Sequence, residues 1–395
     1  MFISRLTLTD FRNHAHLSLT LDARPVVLAG PNGAGKTNVL EAVSLLAAGQ
    51  GLRRATYPDL ARRNGTGAWA VAATLQTMHG PIDIGTGLLP ASGQTERGQA
   101  ERGQTERTQS ERPGRIVRLN GETQSGSGVL AEQVEMIWLT PAMDGLFTGA
   151  AGERRRFLDR LVLCFDPAHG TRYGQFERAM RQRNRLLEDG VREAARFAGL
   201  EAVMAETGVA IAAARVEAAA ALLGVIAARR ARAPDSPFPW ATLSLDGPLE
   251  ADLAHCPAVD VEDGYLATLA QTRERDRAAG RTLSGPHRTD LIVGHGPKAM
   301  PASASSTGEQ KSLLVGLILA HAELLRERRE GAAPILLLDE VAAHLDERRR
   351  AALFAEILHL GSQAWLTGTD GQAFSALLNN AEFLVVEEGR IAAAA

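Results

Sequence analysis

Three short stretches of this chain carry residue types that could act together on a phosphate chain. Gly30-Pro31-Asn32-Gly33-Ala34-Gly35-Lys36-Thr37 fits the pattern G-x-x-x-x-G-K-[ST] at every fixed position. Glycines let the backbone turn so that successive N–H groups face phosphate oxygens. Lys36 is placed to reach the β- and γ-phosphates, and the Thr37 hydroxyl suits Mg²⁺. The second stretch, Ile335 to Glu340, ends an apolar run in two acids. Asp339 suits the metal, through water or directly, and Glu340 suits polarisation of an attacking water. Apolar strands often end in acids, so it is the pairing with the glycine-rich loop that gives these two their meaning. The third stretch is Ser306-Thr307-Gly308-Glu309-Gln310, 33 residues before Asp339. A hydroxyl, a glycine amide and a helix start make another phosphate-binding device, or a plain helix cap. It has no use within the same nucleotide site, but could cap the γ-phosphate held by a second copy of the chain. The implied ligands are the phosphate chain of a nucleotide and Mg²⁺.

The flanking elements support this chemistry. Val26 to Leu28 is an apolar run of strand length, and Val39, Leu40, Val43 and Leu46 return at helical spacing. The glycine loop therefore joins a strand to a helix. Ile335 to Leu338 predicts a buried strand whose acids lie at its C-terminal end, where ligands of open α/β sheets bind. Lys36 and Asp339 are 303 residues apart, which calls for a large insertion. Residues 153–232, rich in Ala, Arg, Glu and Leu, predict several long helices, and a further helix is expected from Glu262 to Arg277. Strands are expected at 2–21 (two), 68–76, 82–89, Ile116–Leu119, Val134–Leu139, 241–245 and Gly285–Val293. After residue 284 the alternation is βαβα, with helices over about 312–329 and Leu345–Leu360 and strands at Ala364–Thr367 and Phe383–Val386. Asp346 suits both a helix N-cap and a contact across a dimer interface. Leu366 to Asp370 reads as an ordinary turn or as a polar sensor of the γ-phosphate.

Size and composition set the outer limits. A chain of 395 residues suggests two domains, or one with a large insertion. Its 45% hydrophobic content is ample for a core, and the net charge of −3 does not announce nucleic acid. Any such site must come from local clustering. Residues 153–196 hold 11 arginines against 7 acids, and Arg178, Arg181 and Arg185 share one helical face. That face suits the backbone of DNA, or is simply solvated. Without an aromatic ladder, duplex or a duplex–single-strand junction is favoured over stacking on single strands. Forty of the 43 basic residues are arginine; the lysines are Lys36, Lys298 and Lys311. Cys164 and Cys256 have no paired spacing, which suggests a reducing, cytoplasmic setting. The N-terminus lacks the apolar core of a signal peptide, and no run of about 18 apolar residues predicts a membrane span. Residues 91–113 repeat Glu-Arg pairs at a period of five, matching neither helix nor strand, and are expected to form a disordered insertion.

The set, in this order, resembles an ABC-type ATPase head of the SMC-related branch, and within it the RecF family of bacterial DNA repair proteins. Leu6-Thr7-Leu8-Thr9-Asp10-Phe11-Arg12-Asn13-His14 is similar to that family's opening. Leu139-Thr140-Pro141 followed by Gly152 to Asp159 resembles its entry into a helical arm. Gly285 to Leu291 is similar to its G-P-H-R-x-D-L strand, and Ser306 to Lys311 to its signature. The chain departs in having Glu309 where many ABC proteins have Gln or Gly, Thr367 or Thr369 in the region of the switch histidine, and no glutamine at 140–146. The resemblance implies an α/β fold: a P-loop head of mixed sheet and flanking helices from 1–150 and 278–395, with a helical arm inserted at 151–277. It implies ATP binding by Gly30 to Thr37, catalysis by Lys36, Asp339 and Glu340, metal held by Thr37 and Asp339, and a signature formed in trans by Ser306 and Gly308. It implies a weak, DNA-stimulated ATPase that dimerises with ATP, recognises junctions at gaps, and works with RecR and RecO to load RecA, supporting the SOS response. The alternatives are the ATPase of another SMC or ABC complex, a transporter's among them, and a P-loop small-molecule kinase.

Overall fold

The computed structural model describes residues 1–89 and 114–393, so the insertion expected at 91–113 lies outside the described residues. In chain order the strands and helices begin with β1 (Phe2–Phe11), β2 (His14–Thr20), β3 (Val26–Ala29), α1 (Lys36–Ser44), β4 (Trp69–Thr77) and β5 (Gly80–Leu88). Next come β6 (Ile116–Leu119), β7 (Glu122–Thr123), α2 (Leu130–Gln133) and β8 (Met136–Leu139). The long helices α3 (Ala151–Leu163), α4 (His169–Glu188) and α5 (Ala194–Arg232) follow, then β9 (Ala241–Asp246), α6 (Pro248–Leu253), α7 (Ala258–Gln271) and α8 (Arg273–Ala278). The chain ends with β10 (Asp290–His295), β11 (Met300–Pro301), α9 (Thr307–Arg328), β12 (Ile335–Leu338), α10 (Glu347–Leu360), β13 (Ala364–Gly368), β14 (Glu382–Glu387) and β15 (Arg390–Ala393).

The chain divides into two compact units. The first comprises Met1–Thr140, Ala332–His344 and Leu353–Ala395. It holds an antiparallel sheet of order β2-β1-β4-β5-β6-β7 and a second sheet of order β15-β14-β3-β13-β12-β8. In the second sheet β14, β3, β13, β12 and β8 run parallel, and β15 pairs antiparallel on the edge. The interior strands β3 (VVLA) and β12 (ILLL) are nearly continuous buried apolar runs, as a sheet covered on both faces demands. In β1, Ile3 and Leu6 are both buried although an odd spacing should put them on opposite faces. A bulge between Ile3 and Arg5 resets the register.

The second unit comprises Pro141–Gly331 and Leu345–Ala352. Its core gathers Phe176 of α4, Met204, Val209 and Ile211 of α5, and Tyr265 and Leu269 of α7. A small antiparallel sheet of order β11-β10-β9 belongs to it. α5 is long and apolar enough to cross a membrane by composition, but half of its most apolar window is buried. Glu201 and Arg215 of α5 are themselves buried in ion pairs, with Arg183 and Asp159 respectively.

Several expected boundaries move. The compact division places 141–150 and 278–331 with the helical arm rather than with the sheets, because α9 packs on α5 and β9. α9 begins at Thr307, ahead of its first apolar turn, since the polar signature residues already form the first turn. The single helix expected at 262–277 breaks at Thr272, which ends α7 and precedes α8; its hydroxyl donates to Asp276 Oδ2 at 3.2 Å. Strand structure expected from Gly285 starts only at Asp290. The segment before it is a loop, with φ +131° at Gly285 and the Pro286 carbonyl accepting from Arg215 at 2.7 Å.

Candidate functional site

The loop from Gly30 to Thr37 leaves the C-terminal end of β3 and enters α1 at Lys36. Two of its glycines are required by geometry. At Gly30 a Cβ would lie 2.2 Å from the Val386 carbonyl oxygen of β14. Gly35 has φ +113°, and its Cβ would meet Asn13 Nδ2 at 2.4 Å. Lys36 Nζ reaches back over the loop and donates to the carbonyls of Gly30 at 2.7 Å and Pro31 at 2.9 Å. An ammonium has three donors, so one is left for a ligand seated in the loop. Burial pushes the Lys36 ammonium below the usual lysine range, and the nearby charges of Glu340 and Asp339 oppose that shift. Pro31, Asn32 and Gly33 form the exposed rim, and Ala34 is buried beneath it.

The acids of the second stretch come to the same sheet edge. Thr37 Oγ1 donates to Asp339 Oδ1 at 2.9 Å across 302 positions of sequence. β13 lies between β3 and β12, so the end of β13 emerges between the loop and Asp339. There the fully buried Thr367 donates to Asp339 Oδ1 at 2.7 Å and accepts the backbone N–H of Glu340 at 2.9 Å. Glu340 itself has φ +52°, a left-handed conformation that a non-glycine residue adopts only where its surroundings hold it. The sequence offered Thr367 as a sensor or an ordinary turn; the structure makes it the clamp of both acids.

A hydroxyl and a carboxylate that share a hydrogen bond beside a phosphate loop fit Mg²⁺, which takes few protein ligands and completes its shell with water and phosphate oxygens. Among the described residues no cluster of three or more His, Cys, Asp or Glu side chains could hold a metal on its own.

The opening motif buttresses the loop, a role its sequence did not disclose. Arg12 forms a bidentate pair with the buried Glu41 of α1, 2.8 Å at each nitrogen. Asn13 Nδ2 donates to the Ala34 carbonyl at 3.0 Å, and Asn13 Oδ1 accepts from Asn38 at 2.7 Å. His14, fully buried, reaches the Gly389 carbonyl at 2.8 Å, and Gly389 N–H donates to Ala34. Phe11 packs edge-on to Trp69. Beside this support Arg12, Asn13, Asn38, Arg53, Asp59 and Arg62 line an open cleft of about 460 Å³.

The third stretch lies in the second unit. Ser306 is the N-cap of α9, and the Glu309 carboxylate accepts its N–H at 3.1 Å and its hydroxyl at 3.0 Å. The expected helix cap is thus made. Gly308 is exposed, and a Cβ there would meet nothing within 4 Å. Among the described residues no contact calls for glycine at this position. Asp346 caps α10, its Oδ1 accepting from Arg349 N–H at 2.8 Å.

The arginine-rich stretch separates into internal and exposed groups. Arg154 is held by both carboxylate oxygens of Asp290, at 2.8 and 2.7 Å, and that hydrogen bonding raises its pKa. Arg155 donates to the Thr289 carbonyl at 2.6 Å. Arg183 is fully buried among Glu201, Asp276, Thr282 and the Leu269 carbonyl. Arg178, Arg181 and Arg185 are exposed on α4, and Arg181 lies 3.4 Å from Glu177.

Likeness to known proteins agrees with this geometry. Residues 2–386 match the family described as RecF/RecN/SMC N terminal domain. The DNA replication and repair protein RecF of Mesorhizobium japonicum is 53% identical over 98% of this chain and 97% of its own length. Its counterpart in Brucella suis is 51% identical, covering 98% and 95%. A solved structure described as the recombination mediator protein RecF-ATP in the RecFOR pathway superposes with a TM-score of 0.82 at 19% identity, covering 100% of this chain and 98% of that one. The Smc head domain of Pyrococcus furiosus gives 0.53 at 15% identity, covering 100% and 96%. The solved structures speak for the fold, an ABC-type ATPase head of the SMC kind, and the sequence relatives for the lineage. The chain belongs to the RecF family of DNA replication and repair proteins.

Proposed function

We propose that this chain is an ATP-dependent DNA-binding protein of recombinational gap repair, whose ATPase site is completed when two copies close on ATP. The observation that carries the reading is the junction of Thr37, Asp339 and Thr367 at the C-terminal edge of a parallel sheet, beside a glycine loop and its lysine. The P-loop amides and the free donor of Lys36 bind the β- and γ-phosphates. Thr37 and Asp339 would hold Mg²⁺, which would offset the charge of the phosphates. Glu340, fixed through its own N–H on Thr367, orients the attacking water. The open cleft lined by Arg12, Asn13 and Asn38 would be available to the ribose and base. Ser306 and Gly308 meet the γ-phosphate on the other copy, which gives the open space at Gly308 a use.

DNA is held through phosphates by the exposed arginines Arg178, Arg181 and Arg185, so binding is salt-sensitive and independent of sequence. Relatives bear the name DNA replication and repair protein RecF, and a structural neighbour is placed in the RecFOR pathway; both support DNA, RecR and RecO as partners and a cytoplasmic site of action. The deciding experiment measures ATP turnover and sedimentation with and without gapped DNA. Slow turnover that rises with gapped DNA, together with an ATP-dependent dimer, is expected. Turnover indifferent to DNA but raised by a small-molecule acceptor would favour a kinase instead.

A further inference from the structure

Of the three lysines, Lys36 belongs to the P-loop and Lys311 faces Asp144 at 3.4 Å. Lys298 has no role so far. Its Nζ lies 2.6 Å from Glu309 Oε1, while Glu309 Oε2 accepts both the N–H and the hydroxyl of Ser306. One carboxylate therefore joins Lys298 to the serine assigned to the partner's γ-phosphate, each on its own oxygen. The lysine stands on a fixed turn between β10 and β11. Its N–H donates to His295 Nδ1 at 3.3 Å, Ala299 after it is left-handed at φ +50°, and a Cβ at Gly296 would strike the Trp240 ring. Together Lys298 and Ser306 hold the Glu309 carboxyl at a pKa of about 2, so it is ionised at any working pH.

An ionised carboxylate suits the first turn of a helix but repels a phosphate arriving at that end. A serine hydroxyl has one proton, and Ser306 gives it to Glu309. To bind phosphate it must redirect that proton. Two further features are unused by packing among the described residues: there Ser305 Oγ is buried without a hydrogen-bond partner, and Gly308 faces open space.

We propose that Lys298 is a positioning residue of the composite ATP site. It keeps Glu309 on Oε1 and cancels its charge, which frees Ser306 to turn its proton from Oε2 to the γ-phosphate on the other copy. This role rests on the two-copy reading of the ATPase site.

The test is sedimentation of the full chain with a saturating non-hydrolysable ATP analogue, comparing wild type, K298M, K298R, E309Q, K298M/E309Q and S306R. Uncancelled charge beside the phosphate should weaken analogue-dependent dimerisation of K298M about tenfold. Gln at 309 keeps the capping interaction without the charge, so K298M/E309Q should return to within about threefold of wild type, as should K298R. Melting temperature should move by no more than about 2 °C, because an exposed ion pair contributes little to stability. Dimerisation of K298M equal to wild type, or no recovery in K298M/E309Q, would overturn the role of Lys298 while leaving the composite site standing if S306R fails to dimerise. Normal dimerisation of S306R would instead remove the reading on which the role rests.

Discussion

Thr367 Oγ1 donates to Asp339 Oδ1 at 2.7 Å in a position closed to solvent. The same oxygen accepts the Glu340 N–H, so one hydroxyl holds the Asp339 carboxylate and the Glu340 backbone. Thr367→Val keeps the shape and removes the hydroxyl. It should leave Asp339 with one donor fewer and the Glu340 N–H unpaired, a cost of about 1–3 kcal/mol in stability. ATP should still bind, while turnover drops by about tenfold or more, because the acids lose their fixed orientation. Thr367→Ser should recover most of the rate. Equal turnover in the valine variant, measured by phosphate release, would show that Thr367 only fills space.

Gly35 has φ +113°, and a Cβ there would meet Asn13 Nδ2 at 2.4 Å. Gly35→Ala is expected to abolish nucleotide binding, read by fluorescent-ATP titration. Adding Asn13→Ala removes the steric contact but not the backbone strain, so the double variant should bind poorly as well. Recovery in the double variant would mean that the contact alone sets the glycine requirement.

His321 of α9 is fully buried, donating through Nε2 to the Leu161 carbonyl at 3.2 Å, with Nδ1 unpaired. Burial pushes its pKa down to about 3, with the charge of Arg160 adding to the shift. The folded state keeps the ring neutral, while the unfolded chain takes up a proton below about 6.5. The contribution of His321 is therefore complete above about pH 6.5 and is lost as pH falls from there toward 3. Its slope is at most about 1.4 kcal/mol per pH unit. His321→Leu should flatten the fall of melting temperature between pH 6.5 and 4 relative to wild type. Parallel curves for the two proteins would contradict this.

What the sequence disclosed follows from how local each signal is. The P-loop, the strand before Asp339 and the cap at Ser306 are written in consecutive residues, and the structure puts Thr37 beside Asp339 as their pairing implied. The clamp by Thr367 depends on β13 lying between β3 and β12, which strand order decides and no short motif records. Asn13 and Ala34 are likewise far apart in sequence, so the support of the loop by the opening motif stayed hidden. Arg154 was legible as basic but not as the internal partner of Asp290, 136 positions away. The end of the helix expected at 277 was near, but a break at the single residue Thr272 leaves little trace in apolar spacing.

The exposed face of α4 gives a salt test. Replacing Arg178, Arg181 and Arg185 by alanine should weaken DNA binding and lower the slope of log affinity against log salt by about 1 for each arginine–phosphate pairing removed. Fluorescence anisotropy on gapped DNA at several salt concentrations reads this directly. An unchanged slope would move the DNA-binding face elsewhere, for example to Arg53 and Arg54.

The central claim is that each ATP is handled by two chains. A Lys36→Ala chain has a disabled P-loop and an intact Ser306; a Ser306→Arg chain has the reverse. Each alone should hydrolyse little ATP. Mixed, they form a dimer with one site whose P-loop and signature are both intact, so turnover should return to as much as about half the wild-type rate per hybrid dimer and rise with protein concentration. A mixture as inactive as its components would contradict the account, and so would full activity of Ser306→Arg alone.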